Sequence, residues 1–538
     1  MMVKKFGRSS KLLALLLTLT LVFVAGCQAI GNVDFNTVLK NALKVTSSEG
    51  KQSIELKMLL DEQAFVGLPE EEVALMKMVS SLKLQLDNVK MQDSSHLSLD
   101  GSLIFGDATS IKFSLKMSDK LAVMELEGAK QPFVLDLTSE SLLGLTGIPV
   151  LPDANEENPA APALDKASMT ALGHQIVDTI GAYAINNLPN PERIEVKPAI
   201  EPINGISTSL THVHVDLNGP EIWTWVKKYV DALVADRAGL DKMIAGVFEI
   251  LASNPEVWAA VGMVNPLQEG GLDAPTPEEM VKETSNAVAV LLTELQAELK
   301  LMETEEKETL DEVFSKNLTI KADVYIDNKL DIRKQVYELS YVPSANPELA
   351  VLPLKGLSIK VESEAWNVNG TVKAEVPVAS ESAIRAEQLF TMQGYQILKH
   401  FDEKSTIYDL LKNKLHIGKQ SMSWFTDDEY NPPIVTAVGV TIIPLRDTAE
   451  QFGAVITYDP KTKGIKVFDE ATNTTIVVKI GSDKAVVNGK TVKWAFPVTV
   501  VDGAAYVPAR NLASALGAKI SWTDFYEDVK IFKIEREV

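Results

Sequence analysis

The chain repeats itself near its C-terminal end. Ile443-Pro444-Leu445-Arg446 recurs as Val507-Pro508-Ala509-Arg510, 64 residues later. At the same offset Gly439 matches Gly503, Ala449 matches Ala513, and Gly453-Ala454 matches Gly517-Ala518. Ile456 matches Ile520, Tyr458 matches Trp522, and Lys466-Val467-Phe468 matches Lys530-Ile531-Phe532. So many coincidences at one spacing mark a duplicated unit, which restricts the fold more than any single motif. The residue before a proline is held out of the helical region, so each x-Pro-x-Arg segment ends an extended stretch. A short helix is expected next, Arg446 to Phe452 in one copy and Arg510 to Leu516 in the other. Gly453 and Gly517 then supply left-handed caps. A strand, a polar turn such as Asp459-Pro460-Lys461 and a second strand complete the unit, and Asn488-Gly489 predicts a further hairpin. Pro444, Arg446, Gly453, Pro508, Arg510 and Gly517 are therefore read as structural positions of the repeat, with ligand binding the alternative for Arg446 and Arg510, which recur in both copies. A unit of this size (about 410–470 or 474–534) is small for a core of its own, so the two copies are expected to pack on each other.

From about 410 to 538 this pattern resembles the copper amine oxidase N-terminal-like domain. The matching residues are PLR…GA…Y in the first copy, then VNGK, then YVPAR…LGA…W in the second. The resemblance implies a stalk-type module, often built of paired half-units, found in exported proteins of Gram-positive bacteria. It implies no catalytic centre and no cofactor, because the copper and quinone chemistry of those oxidases sits in a different part. That quinone forms from the tyrosine of an Asn-Tyr-Asp/Glu motif, and this chain contains no Asn-Tyr pair.

Cys27 is the only cysteine among 538 residues. It follows a basic start (Lys4, Lys5, Arg8, Lys11), an apolar run from Leu12 to Val24, and the small pair Ala25-Gly26. That order describes a secretory signal, and the run falls short of the ~20 apolar residues of a spanning helix. Leu21 to Cys27 (LVFVAGC) also resembles the lipobox of bacterial lipoproteins. The resemblance implies a signal peptide at 1–26, an acylated Cys27, a tether at 27–33, and attachment to the outer face of the cell membrane. The alternative is an ordinary signal followed by a free thiol. With Cys27 in the anchor, neither an intramolecular disulfide nor a cysteine nucleophile remains, and stability must come from apolar cores. Losing the signal leaves 48 basic against 73 acidic residues. No basic block stands out, which argues against nucleic acid as a partner.

Between anchor and repeat the pattern is α+β: a large antiparallel sheet with helices over 34–390, then a connecting segment at 391–409. Phe35, Val38, Leu39 and Leu43 keep a helical period. Alternation follows through Ile54-Leu60, His96-Leu99, Ile111-Leu115 and Ala122-Leu126, with Asp100-Gly101 read as a tight hairpin turn. A sheet with one apolar face needs a partner layer. Pro149 to Pro162 reads as a linker. Helices are expected at 171–185, after Asn218-Gly219-Pro220, and along the face Val288, Leu291, Leu292, Leu295 and Leu299. Strands are expected at 212–216, 318–326, 332–341, 357–364 and 365–376, with Asn369-Gly370 as a hairpin turn.

Motifs for chemistry are few. HExxH, GxSxG and Walker sequences are absent. His212 and His214 alternate on a strand, so both rings point to one face. They are the metal-ligand candidates, but a closed site wants three or four ligands, and the plain reading is two histidines on a wet face. Trp494 and Trp522 suggest either a carbohydrate-stacking surface or core packing. Met58, Met76, Met78, Met91, Met117 and Met124 either fill a core or line a cavity for variable apolar ligands. A sheet closed by helices behind a lipid anchor loosely resembles the lipoprotein carriers of the LolA and LppX type. The leading expectation is a non-enzymatic surface lipoprotein whose stalk-like domain contacts cell wall or protein. The alternatives are a carrier of lipid or another hydrophobic ligand, with a cavity in 34–380, and a metal-dependent enzyme.

Overall fold

The structure, a computed structural model, describes residues 33–106, 109–137, 166–254, 276–343, 354–426, 428, 430–526 and 529–538. Cys27, its signal and the Pro149–Pro162 segment lie outside them. The chain divides into two units, Met1–Leu126 with Pro132–Ala383, and Glu127–Gln131 with Ile384–Val538. The architecture is α+β.

Among the described residues, the first unit holds eleven strands of one antiparallel sheet. These are β1 (Ser48–Leu60), β2 (Ser81–Met91), β3 (Leu97–Phe105), β4 (Thr109–Met117), β5 (Leu121–Leu126), β6 (Phe133–Asp136), β7 (Ile194–Ile203), β8 (Ile206–Asn218), β9 (Leu318–Ile326), β10 (Ile332–Tyr341) and β11 (Leu354–Trp366). They run in the order β6-β5-β4-β3-β2-β1-β11-β10-β9-β8-β7. The helices are α1 (Phe35–Leu43), α2 (Glu70–Val79), α3 (Lys166–Asn186), α4 (Gly219–Ala235), α5 (Arg237–Ser253), α6 (Pro277–Glu305) and α7 (Lys307–Val313).

Alternation decides which face is covered. In β9, Leu318, Ile320, Ala322, Val324 and Ile326 are buried, and Val213, Val215 and Leu217 of β8 are buried with them. Ile222, Trp223, Trp225, Val226 and Val230 of α4 pack with Val215, Leu217, Leu318, Ile320 and Ala322, together with Leu299, Leu310 and Phe314, while Val213, Val324 and Ile326 pack with Phe35 and Val38 of α1. Burying one such side chain contributes about 1.5–3 kcal/mol. Asn218 opens α4 with a capping box: its side chain accepts from the Glu221 N–H at 3.2 Å, and Glu221 accepts from the Asn218 N–H at 2.8 Å. Gly219 lets this turn approach the end of α7, since a Cβ there would lie 2.2 Å from the Ser315 carbonyl oxygen.

Several expectations are corrected. Asp100-Gly101 is no turn; both residues lie inside β3, and a Cβ on Gly101 would meet the Phe113 ring at 2.4 Å. That glycine makes room for a ring across the ladder. Asn367 to Gly370 does turn the chain, but residues 371–376 form no strand. Their N–H groups bond side chains instead: Ala374 donates to Gln92 Oε1 (3.3 Å) and Glu375 to Ser98 Oγ (3.1 Å). On α6, Leu291 and Leu295 are exposed, whereas Val288 and Leu292 pack with Tyr183, Leu240 and Ile244, and Leu299 joins the core under α4. None of the six methionines is among the fully buried residues, and Met124 is exposed.

In the second unit, residues 391–409 contain helical turns at Gly394–Leu398 and Thr406–Asp409. The repeat follows as a duplicated strand-helix-hairpin. After β12 (Ile384–Arg385), β13 (Lys419–Phe425) and β14 (Ile434–Val435), the first copy runs β15 (Thr441–Pro444), α8 (Leu445–Gln451), β16 (Val455–Asp459) and β17 (Gly464–Asp469). The strands β18 (Thr474–Lys479), β19 (Lys484–Val487), β20 (Lys490–Lys493) and β21 (Thr499–Val501) come next. The second copy runs β22 (Ala504–Pro508), α9 (Ala509–Ala515), β23 (Lys519–Tyr526) and β24 (Val529–Glu537). The two x-Pro strands pair with each other, Ile443 opposite Val507 and Pro444 opposite Tyr506. One core joins both copies: Ile443, Leu445, Ala449 and Phe452 pack with Val507, Ala509, Leu512, Ala513, Leu516 and Phe532.

Candidate functional site

On the face of the first sheet opposite α4, β8 and β9 bring three ligand-type side chains together. Residues His212 and His214 share that face by alternation, and the register sets His214 opposite Asp323 and His212 opposite Tyr325. His214 Nδ1 lies 2.8 Å from Asp323 Oδ1, and His212 Nε2 reaches the same oxygen diagonally at 2.6 Å. The His212 ring stacks on Tyr325 with centroids 4.5 Å apart and planes 9° from parallel. Lys334 Nζ stands 5.3 Å from the centre of that tyrosine ring and pairs with Glu201 at 2.8 Å. His212 is thus 9% exposed, while His214 and Asp323 remain half-buried and open to solvent. Burial acts to raise the Asp323 carboxyl, but the bonds to His214 and His212 outweigh it and hold it below the usual range. These three residues form the group of potential metal ligands found among the described residues. Asp323 was not singled out in the sequence. Its signal was the strand 318–326, in which Thr319, Lys321, Asp323 and Tyr325 alternate with apolar residues.

The second unit has a different centre. Arg536, buried in β24, donates from Nε to Gln420 Oε1 (2.7 Å), from Nη2 to Asp469 Oδ1 (2.9 Å) and the Phe452 carbonyl (3.2 Å), and from Nη1 to Asp469 Oδ2 and the Leu516 carbonyl (2.8 Å). Phe452 and Leu516 are the equivalent C-cap residues of α8 and α9. One guanidinium therefore ties the same point of both repeats together. The conspicuous arginines do something else. Arg446 forms an exposed pair with Glu450 on its own helix (2.9 Å), and Arg510 is exposed. Pro444 and Pro508 are buried and take the N-cap position of their helices. Gly453 and Gly517 have φ of 72° and 68°. Trp494 is buried in the core, and Trp522 is 40% exposed against Phe532.

An open cleft of about 750 Å³ lies in the same unit. Tyr430, 80% exposed, stands on its rim, with Met422 and Trp424 lining it beside the carboxylates of Asp428, Asp447 and Glu450. Asp447 accepts from Asn431 Nδ2 at 2.8 Å, and Asp428 accepts from the Phe425 N–H at 2.8 Å. Each keeps further acceptor capacity.

Among the described residues no helix is long and apolar enough to cross a membrane. Comparison with curated proteins and with solved structures finds no match. Residues 427–531, which hold most of the duplicated unit and the Asp428, Tyr430, Asp447 and Glu450 side of the cleft, match the family model of the copper amine oxidase N-terminal domain.

Proposed function

We propose that this is an exported, lipid-anchored protein of the outer face of the cell membrane, without enzymatic activity, whose C-terminal domain holds cell-wall polymer. The cleft at the start of the matched domain, with Tyr430 and three carboxylates within the match, carries this reading. An exposed tyrosine presents an apolar face with a polar tip, and carboxylates accept hydrogen bonds from sugar hydroxyl or amino groups. Acidic groups disfavour phosphate-bearing polymers, so the ligand class is the glycan of the wall. The test is co-sedimentation of the full chain with purified cell wall. The Tyr430→Ala variant should bind several-fold less than wild type; a wild-type chain that stays in the supernatant overturns the wall reading and leaves the domain as a spacer. The anchor is tested separately: Cys27→Ala should release the protein into the medium, and unchanged membrane retention refutes acylation at Cys27.

One observation favours a second reading, a carrier of hydrophobic ligand. Across β11, β1, β2 and β3 an apolar row (Ile359, Leu56, Leu82, Phe105) continues the face that α4 covers elsewhere, and these residues are only half-buried. Lipid extracted from the purified protein in near-stoichiometric amount would support a carrier. Protein free of lipid would end that reading.

A further inference from the structure

We propose that His212, His214 and Asp323 bind a divalent first-row transition ion. Two imidazoles and one carboxylate converge from adjacent strands, and their ligand atoms lie within 4.8 Å of one another. This donor set suits zinc and its neighbours, and three protein ligands leave positions open for water. The proposal is independent of the wall-binding reading, because the cluster belongs to the first unit and the cleft to the second.

Three features of the site point the same way. The ring directions are fixed by the fold: alternation on β8 sends both histidines to one face, and the register puts Asp323 opposite His214 and within diagonal reach of His212. His212 is further held flat against Tyr325, which restricts its rotamers before any ion arrives. Access is the second feature, since His214 and Asp323 are half-buried rather than sealed. The third is spacing. Without an ion, the two nitrogens approach one carboxylate oxygen at 2.6 and 2.8 Å. Bonds of about 2.0–2.2 Å in a tetrahedral arrangement would set ligand atoms roughly 3.3 Å apart. The two N···O separations therefore need to open by only about 0.5–0.7 Å. To ligate, Nε2 of His212 and Nδ1 of His214 must carry no hydrogen, which a neutral ring meets by holding its proton on the other nitrogen.

The experiment uses the full chain, purified without a histidine tag and stripped of metal, titrated with zinc by calorimetry at neutral pH. We expect about one equivalent bound and a rise in melting temperature on zinc addition. The variants Asp323→Asn and His214→Gln should each weaken zinc at least tenfold, while His96→Gln, outside the cluster, should leave it unchanged. Circular dichroism of each variant separates loss of ligand from loss of fold. Stoichiometry near zero in the wild type overturns the proposal. So does wild-type affinity in a folded Asp323→Asn variant.

Discussion

Arg536 and Asp469 form a closed ion pair in the interior of the second unit, the arginine side chain 1% exposed and the aspartate 0%. The pair is satisfied on all sides. Asp469 also accepts from Thr472 Oγ1 at 2.6 Å, and Arg536 sits 4.8 Å from the centre of the Phe452 ring. A buried pair adds stability only when its remaining hydrogen-bond capacity is met. Here the remaining donors reach the carbonyls of Phe452 and Leu516, which cap the two repeat helices.

Removing one partner should therefore be costly. Arg536→Met leaves a buried carboxylate without its counter-charge and is expected to destabilise the second unit by about 3–5 kcal/mol. Adding Asp469→Leu should recover part of that loss but not all. The Phe452 carbonyl keeps Gln420 Nε2 as a donor at 3.0 Å, whereas the Leu516 carbonyl loses the donor that Arg536 supplied. An unmet buried acceptor costs about 1–3 kcal/mol. Urea denaturation of the full chain and both variants reads the effect; a loss below about 1 kcal/mol would show that the pair contributes little.

The same pair sets a pH dependence. Burial acts to raise the Asp469 carboxyl, but the bonds from Arg536 and Thr472 outweigh it and lower it below its ordinary 3.8. A depressed folded-state pKa gives stability that is present in full above the unfolded value. It disappears as pH falls through the folded value. The second unit should accordingly keep this contribution at neutral pH and lose it below about pH 4. In Asp469→Asn the acid-dependent loss should be smaller, as measured by thermal unfolding across an acid series.

The two cap glycines should respond unequally to alanine. Both have positive φ, where a Cβ costs about 1–2 kcal/mol. At Gly517 nothing lies within 4 Å of the added atom, but at Gly453 it would meet Gln393 Cγ at 3.3 Å. Gly453→Ala should therefore lower the melting temperature at least as far as Gly517→Ala. Reversal of that order would mean that Gln393 moves aside freely.

What the sequence disclosed follows physical range. The repeat was legible because equal residues at a fixed offset need no contact information, and the packing of the two copies on each other was expected from it, whereas the pairing of the Ile443 and Val507 strands was not. The His212 and His214 pair was legible from alternation on one strand. Asp323 was not, because it lies more than a hundred positions away and only the β8–β9 register brings it to them. Arg536 was hidden for a similar reason. It has no counterpart in the repeat, while Arg446 and Arg510 recur and drew the attention, yet both lie on the surface. Chain-distant polar partners carry no local signal.

Gly101 was misread for the opposite reason, since Asp-Gly is a genuine turn signal. Inside β3 the glycine leaves a gap that the Phe113 ring fills from the neighbouring strand, opposite it in the ladder. Any Cβ there lands 2.4 Å from the ring tip, so the ring must rotate or the strands must part. Gly101→Ala should cost about 1–3 kcal/mol through overpacking, in a strand interior where alanine would otherwise be preferred to glycine by about 0.5–1 kcal/mol. Combining it with Phe113→Leu should restore most of the loss, because the shorter side chain vacates the space that the new methyl occupies. If Gly101→Ala alone were neutral or stabilising in denaturation experiments, the ring would not be what requires the glycine.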